Sequence, residues 1–417
     1  MAAVPVIGVT PTFVPVTINN GAGDQYDPHV SGDWAAYTAD SSIRYYNFAT
    51  NTDAAIPMGS SARDLLSDIS GSKIVFSRVI TAVKTAVMVF DAATAATPIE
   101  IDAAVGSNRI GSAIGGNTVA FIDFGVHPNG EVVVHDLTTA TSLRITNDAL
   151  FDQNPSVSPD GTVVTWEHCS TSTTNCDILQ AVKIGGVWTV SAASSSSNPE
   201  ANPDTNGSLV VYDSIRGQDR GDIFWRPVGG GAEVQLQLPG VEANPSIAGN
   251  LIALESRPTL FSTSDIFVYD IATNLLYQIT DTPLVTEQLN DITVLPDGRI
   301  RVVWGNDEDG FDSRNVYAAT FSLPSVTPSP TDLLQQLIDT VATFNLRRGI
   351  ANSLDAKLEN AQAALAAAQS GNSSSACGML GAFINEVQAQ SGHAITTEQA
   401  AQLINLANQV RAGLGCP

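Results

Sequence analysis

Five histidines, four cysteines and a large excess of carboxylates are the groups in this 417-residue chain that could do chemistry. The histidines (His29, His127, His135, His168 and His393) are scattered. No Gly-x-Ser-x-Gly turn exposes a nucleophile, and no His-Glu-x-x-His pair offers a zinc site. The acids stand mostly as singles, whereas general acid–base catalysis needs poised groups side by side. The densest acidic loop is Asn306-Asp307-Glu308-Asp309-Gly310-Phe311-Asp312. Calcium takes several oxygens on a Gly-containing turn, which makes Asp307, Asp309 and Asp312 candidate ligands. The spacing departs from an EF-hand, so a solvated hairpin turn is the favoured reading. The expectation is no catalytic residue and no cofactor, with calcium the one ion that has a candidate loop. Arg220-Gly221-Asp222 is a tripeptide of adhesive ligands, but the repeat described below already accounts for Asp222.

The cysteines form two local pairs. Cys169 and Cys176 bracket a Ser/Thr run, and Cys377 and Cys416 bracket the last two helical patterns. Without a Cys-x-x-Cys or a Cys/His cluster, zinc is not expected. Two disulfides, one per domain, are the simpler reading and imply an oxidising compartment. Four free buried thiols are the alternative.

Formal net charge is −23, of which −21 falls on residues 1–331. Such a field repels phosphate backbones, so no nucleic-acid partner is expected. Solubility is its first explanation. No run of 18 apolar residues occurs, so no transmembrane segment is expected. The start, Met1-Ala-Ala-Val-Pro-Val-Ile-Gly, lacks a charged region and a long apolar core. A signal peptide is therefore expected to have been removed or to lie outside this numbering.

The elements that must position these groups repeat. Asn154-Pro155-Ser156-Val157-Ser158-Pro159-Asp160-Gly161 leads into the strand-like Thr162-Val163-Val164-Thr165-Trp166. Six further units follow the same plan. Taking Val30, Ile69, Ile114, Val157, Ala201, Ile247 and Val294 as equivalent, successive units lie 39 to 47 residues apart. That is the blade period of a propeller built from short strands. Each unit continues with an alternating third strand, such as Asp265-Ile266-Phe267-Val268-Tyr269-Asp270, and a short outer strand. Trp34, Trp166 and Trp304 are read as equivalent core positions. The seventh unit lacks a fourth strand, and residues 14–19 supply one in excess. Val14, Val16 and Ile18 are therefore expected to close the ring, or to do so in a neighbouring molecule.

Residues 323–330 read as a Pro/Ser/Thr hinge between a propeller over residues 1–322 and a four-helix domain over 331–417. Thr331 is the expected first N-cap, and Gly349 the expected end of the first helix. Thr396 and Gln399 have capping-box spacing for the last helix. The fold class is thus an all-β seven-bladed propeller plus a small all-α C-terminal bundle.

The repeat motifs resemble TolB-like propeller repeats of bacterial exported proteins, over about residues 14–322. That resemblance implies the fold and a choice of roles: scaffold, ligand binder or domain attached to a peptidase. Ile350-Ala351-Asn352-Ser353-Leu354-Asp355-Ala356-Lys357-Leu358 and Leu380-Gly381-Ala382-Phe383-Ile384-Asn385-Glu386-Val387 resemble the FIMAH-type domain, which implies an accessory or interaction role. The expected function is a non-enzymatic, secreted or cell-surface interaction or structural protein, with protein partners or self-assembly, such as a filament subunit. The alternatives are a propeller that binds small molecules, glycans or metal ions, and an enzyme with its site on a propeller face.

Overall fold

The computed structural model describes residues 2–3, 5–59, 63–102, 108–125, 127–170, 175–194, 196–216, 221–308, 313–324, 329–344, 346–367 and 374–416. The chain divides into two compact units, Met1–Pro324 and Ser325–Pro417.

The first unit is a seven-bladed β-propeller. The innermost strands, from blade 1 to blade 7, are Gln25–Ser31, Arg63–Ser70, Arg109–Gly115, Phe151–Val157, Glu200–Thr205, Val241–Ala248 and Glu287–Val294. Neighbouring innermost strands pack in a closed cycle, the seventh against the first, and enclose an axial channel. Blade 7 runs Glu287–Val294, Ile300–Asn306, Asn315–Phe321 and then Val16–Asn19, the last strand coming from the start of the chain. Val16 pairs with Ala318, and Ile18 is buried between blades 7 and 1. Val14 lies outside this strand and is 84% exposed, so the closing element is shorter than residues 14–19.

One local device recurs in every blade. Each innermost strand carries one extra residue opposite its partner, a β-bulge. The first bulged residue is Asp27, Leu66, Gly111, Asn154, Asn202, Asn244 or Leu289, and all seven have φ between 49° and 65°. Asn, Asp and Gly tolerate this left-handed region best. Pro follows in four blades, at Pro28, Pro155, Pro203 and Pro245, which explains the Asn/Asp-Pro recurrence. Opposite each bulge sits a buried side chain: Tyr37, Phe76, Phe121, Trp166, Tyr212, Leu254 or Trp304. Six of the seven are aromatic.

This register corrects three sequence assignments. In blade 5 the bulge falls on Asn202-Pro203, so Thr205, and not Ala201, matches Val30. In blade 7 the match is Ile292 rather than Val294. Trp34 pairs with Ser31 at the hairpin end and is only half-buried, so it is not equivalent to Trp166 and Trp304. The core itself lies between blades, as where Ala36, Ile43 and Ile56 of blade 1 meet Ile69, Ile74 and Phe76 of blade 2.

Two parallel strands were not legible in the repeats. Ala2–Ala3 adds to the outer edge of blade 5 at Val234–Leu236. Val6–Ile7 adds to blade 6 at Leu275–Gln278.

The second unit has four helices: Pro330–Thr343, Arg348–Ala367, Ser374–Gln390 and Thr397–Gly413. The first is capped by Ser329, not Thr331, in a capping box with Asp332 and with Pro330 at the first turn. It ends at Phe344, and Gly349 belongs to the second helix. Thr396 and Gln399 form the capping box of the fourth. Leu334, Leu337, Leu354, Leu380, Phe383, Leu403 and Val410 meet in its core. Cys377 and Cys416 are joined across 39 residues. Reducing this bond is expected to destabilise the helical unit by about 2–4 kcal/mol. Chemical denaturation followed by circular dichroism at 222 nm, with and without reductant, measures the shift.

Candidate functional site

The channel neck is where the bulges aim side chains. The residue two places after each bulge position is His29, Asp68, Ala113, Ser156, Asp204, Ser246 or Asp291 around the ring. His29 of blade 1 lies between acids of both neighbours: its Nδ1 is 3.6 Å from Asp68 of blade 2 and 3.8 Å from Asp291 of blade 7. Its Nε2 is 3.7 Å from Asp27. Burial opposes charge on His29, but Asp27 and then Asp68 and Asp291 outweigh it and push the imidazole up to about 10. At neutral pH it is therefore a cation with no free lone pair, a counter-ion rather than a base or metal ligand.

The acids are held mainly by backbone of the next blade. Asp291 Oδ2 accepts from Val30 N–H, Asp68 Oδ2 from Ile114 N–H and Asp204 Oδ2 from Ile247 N–H, each at 2.7 Å. Ser156 Oγ donates to Asp204 at 2.6 Å. Burial still pushes Asp291 up to about 7, with His29 opposing and the Asp204 and Asp68 charges adding. Asp68 moves the same way for the same first reason.

A second tier of latches starts on the second strand. Glu167 accepts from Asn202 N–H at 2.9 Å and Asn154 Nδ2 at 3.0 Å. Asp213 accepts from Asn244 N–H at 3.1 Å and Asn202 Nδ2 at 2.7 Å. Glu255 accepts from Leu289 N–H at 2.7 Å and Asn244 Nδ2 at 2.6 Å. Each acid thus ties the bulge of its own blade to the bulge of the next. Burial pushes Asp213 up to about 7 and also raises Glu255.

Above the neck, the hairpins of blades 4 to 7 surround a cavity of about 420 Å³. Pro159, Asn206, Leu209, Gly249, Asn250 and Val294 are among its lining residues, and none of its lining residues is charged.

The residues singled out in the sequence are placed as follows. Cys169–Cys176 and Cys377–Cys416 are both disulfides, and the described residues contain no free cysteine. Glu167, Cys169 and Cys176 are the one cluster of ligating groups close enough for a metal ion among the described residues, but both sulfurs are bonded to each other. Asp307 is fastened locally, its Oδ1 accepting from Thr286 N–H at 2.6 Å. Asp309 and Asp312 lie outside the described residues. Asp222 is buried, and Gly221 is pressed so closely on Glu242 that a Cβ would lie 2.4 Å from its carbonyl oxygen; Arg220 lies outside the described residues. His135 Nδ1 sits 2.8 Å from Ser142 Oγ, a contact explained by their direct cross-strand pairing. His168 Nδ1 sits 2.7 Å from Asp152. Sequence reasoning missed the channel arrangement of His29, whose partners are 39 and 262 residues away in the chain. The Asn/Asp-Pro recurrence was the available clue to which side chains face the axis.

No protein-family model matches the chain, and no curated protein does. Solved structures share its fold. The propeller domain of the Trilobed protease from Pyrococcus furiosus is 11% identical, with a TM-score of 0.52 over 72% of this chain and 96% of that one. An acylaminoacyl peptidase from Pyrococcus horikoshii is 10% identical, with a TM-score of 0.52 over 73% of this chain and 53% of its own. TolB from Acinetobacter baumannii is 17% identical, with a TM-score of 0.42 over 72% of this chain and 78% of that one. The chain spans about half the length of the acylaminoacyl peptidase. At such identities the likeness is one of fold.

Proposed function

We propose that this chain is a non-enzymatic interaction or structural protein, exported to an oxidising compartment and working as a subunit of an extracellular or cell-surface assembly. The observation that carries this reading is the use of the channel's charged side chains. Asp68, Asp204, Asp291, Glu167, Asp213 and Glu255 are tied to neighbouring blades, and His29 is the counter-charge of Asp27, Asp68 and Asp291. Groups that could have been poised for catalysis instead hold a frame.

The rim supports contacts with other proteins. Val187–Ala192, the outer strand of blade 4, is uncharged and exposed along most of its length. Open, neutral strand edges are templates for pairing with another chain. The two disulfides fit export. The four C-terminal helices are proposed to be a FIMAH-like accessory module, on the motifs around Leu354 and Phe383. Electron microscopy of the native material tests the reading: polymers or large oligomers are expected, and dispersed single propellers would contradict it.

A further inference from the structure

Two short strands, Ala2–Ala3 and Val6–Ile7, fill the outer edges of blades 5 and 6. Ala3 pairs with Leu236, and Gln237 N–H donates to Ala3 O at 2.8 Å. Val6 and Ile7 pair with Leu275 and Leu276. Val6 N–H donates to Asn274 O at 3.0 Å, and Gly8 N–H to Leu276 O at 2.7 Å. Gly8 lies flat on the Tyr277 ring, where a Cβ would come within 2.5 Å of Cε1. Only glycine lets the strand come this close. Residues 2–8 carry no charge, so recognition rests on backbone bonds and on this close approach.

The hold on this segment is light. Each ladder is two residues long, and Val6 and Ile7 stay 39% and 69% exposed. The acceptor side is different: Leu236, Leu275, Leu276 and Tyr277 are all at most 5% exposed. A vacated edge would leave Gln237 N–H and the Asn274 and Leu276 carbonyls without these strand partners, so it favours being refilled. The segment is anchored downstream, where Phe13 packs on Phe321 at 5.3 Å and Ile18 sits in the core. Extended from that anchor, residues 2–12 reach on the order of 35–40 Å. Anchor, tether and short strand are the parts needed for exchange between identical molecules, because each bond broken within one copy is remade in the other.

We propose that residues 2–8 of one copy fill the outer edges of blades 5 and 6 of a second copy. The proposal rests on the assembly reading above and names the contact that builds it. The donor segment and the acceptor edge are different surfaces, so a one-way exchange runs head to tail and builds chains, whereas a reciprocal exchange between two copies closes a dimer.

The test uses three reagents: a variant lacking residues 1–8 as acceptor, a labelled synthetic peptide of residues 1–12, and the tagged full chain as donor. The peptide is expected to bind the acceptor saturably, and its Gly8→Val version at least ten-fold more weakly. After warming to allow exchange, the acceptor is expected to capture the tagged full chain but not its Gly8→Val form. If the deletion impairs folding, the untagged full chain carrying Gly8→Val serves as acceptor, since only its own segment is displaced. Failure of the peptide to bind overturns the docking surface. Peptide binding without capture of the full chain also overturns the proposal, because pairing is then confined to one molecule. Neither failure touches the assembly reading, which stands if micrographs still show polymers joined through other surfaces.

Discussion

Replacing Ile18 by Asp is expected to cost the propeller about 2–5 kcal/mol, the scale of losing a buried Ile side chain, with the stranded carboxylate adding to it. Ile18 is 5% exposed and packs with Val30, Ala35, Tyr37, Val303, Val316 and Ala318. Those partners come from both blades 1 and 7, so one side chain fastens the two ends of the ring. Asn19 reinforces it by donating from Nδ2 to the Tyr37 hydroxyl at 2.9 Å. The ring has no covalent closure, and this strand is its clasp. Val14→Asp is the control: Val14 is 84% exposed, and its replacement should stay within about 0.5 kcal/mol of the parent. Differential scanning calorimetry of both variants separates them. Equal melting of Ile18→Asp and the parent would refute closure by this strand.

His29→Ala is expected to destabilise the propeller by about 1–3 kcal/mol below about pH 6.5, where the imidazolium's contribution is complete, and by less as pH climbs towards 10. In the variant, Asp27, Asp68 and Asp291 face one another without their counter-charge. The parent should itself be more stable at pH 5 than at pH 8. Burial holds Asp213, Asp291 and Glu287 near 7 in the fold, against 3.8, 3.8 and 4.5 when exposed. The folded chain therefore binds more protons than the unfolded one between about pH 4 and 7, and stability falls as pH rises through that window. His29 acts in the same sense. Its contribution is complete below 6.5 and fades as pH climbs towards 10. Asp136, held low first by the Thr138 N–H, loses its contribution only as pH drops below the ordinary carboxylate range, so it does not oppose the trend above about pH 4. Melting temperatures of parent and variant across pH 4–9 test both statements. A gap between them that widens as pH rises from 6.5 to 9 would contradict the assigned role of His29.

The blades were legible because each is a local object. Strand, turn and strand recur within some 45 residues, and Pro-Asp-Gly or Gly turns punctuate them. Register was harder. Asn198-Pro199 imitates the Asn-Pro that marks a bulge, and only pairing to Asp213 and Val211 places the bulge at Asn202. The clasp could be found by counting strands, but its start at Val16 is set by tertiary pairing. The pairings across the channel could not be read from the sequence. His29, Asp68 and Asp291 meet only because the ring closes, and no sequence spacing encodes that meeting. The strands at Ala2–Ala3 and Val6–Ile7 are too short to show any periodicity. The helices followed their caps where a capping box was intact, as at Thr396. They departed where Ser329 competed with Thr331, because Pro330 suits the first helical position and Asp332 completes the box with Ser329.

A latched ring that acts through its edges joins other molecules, and the state of the native protein bears on this most directly. Electron micrographs of the material as isolated, recorded over a range of concentrations, should show propellers joined into linear polymers or large oligomers. Uniform single particles of 43.6 kDa at every concentration would contradict it.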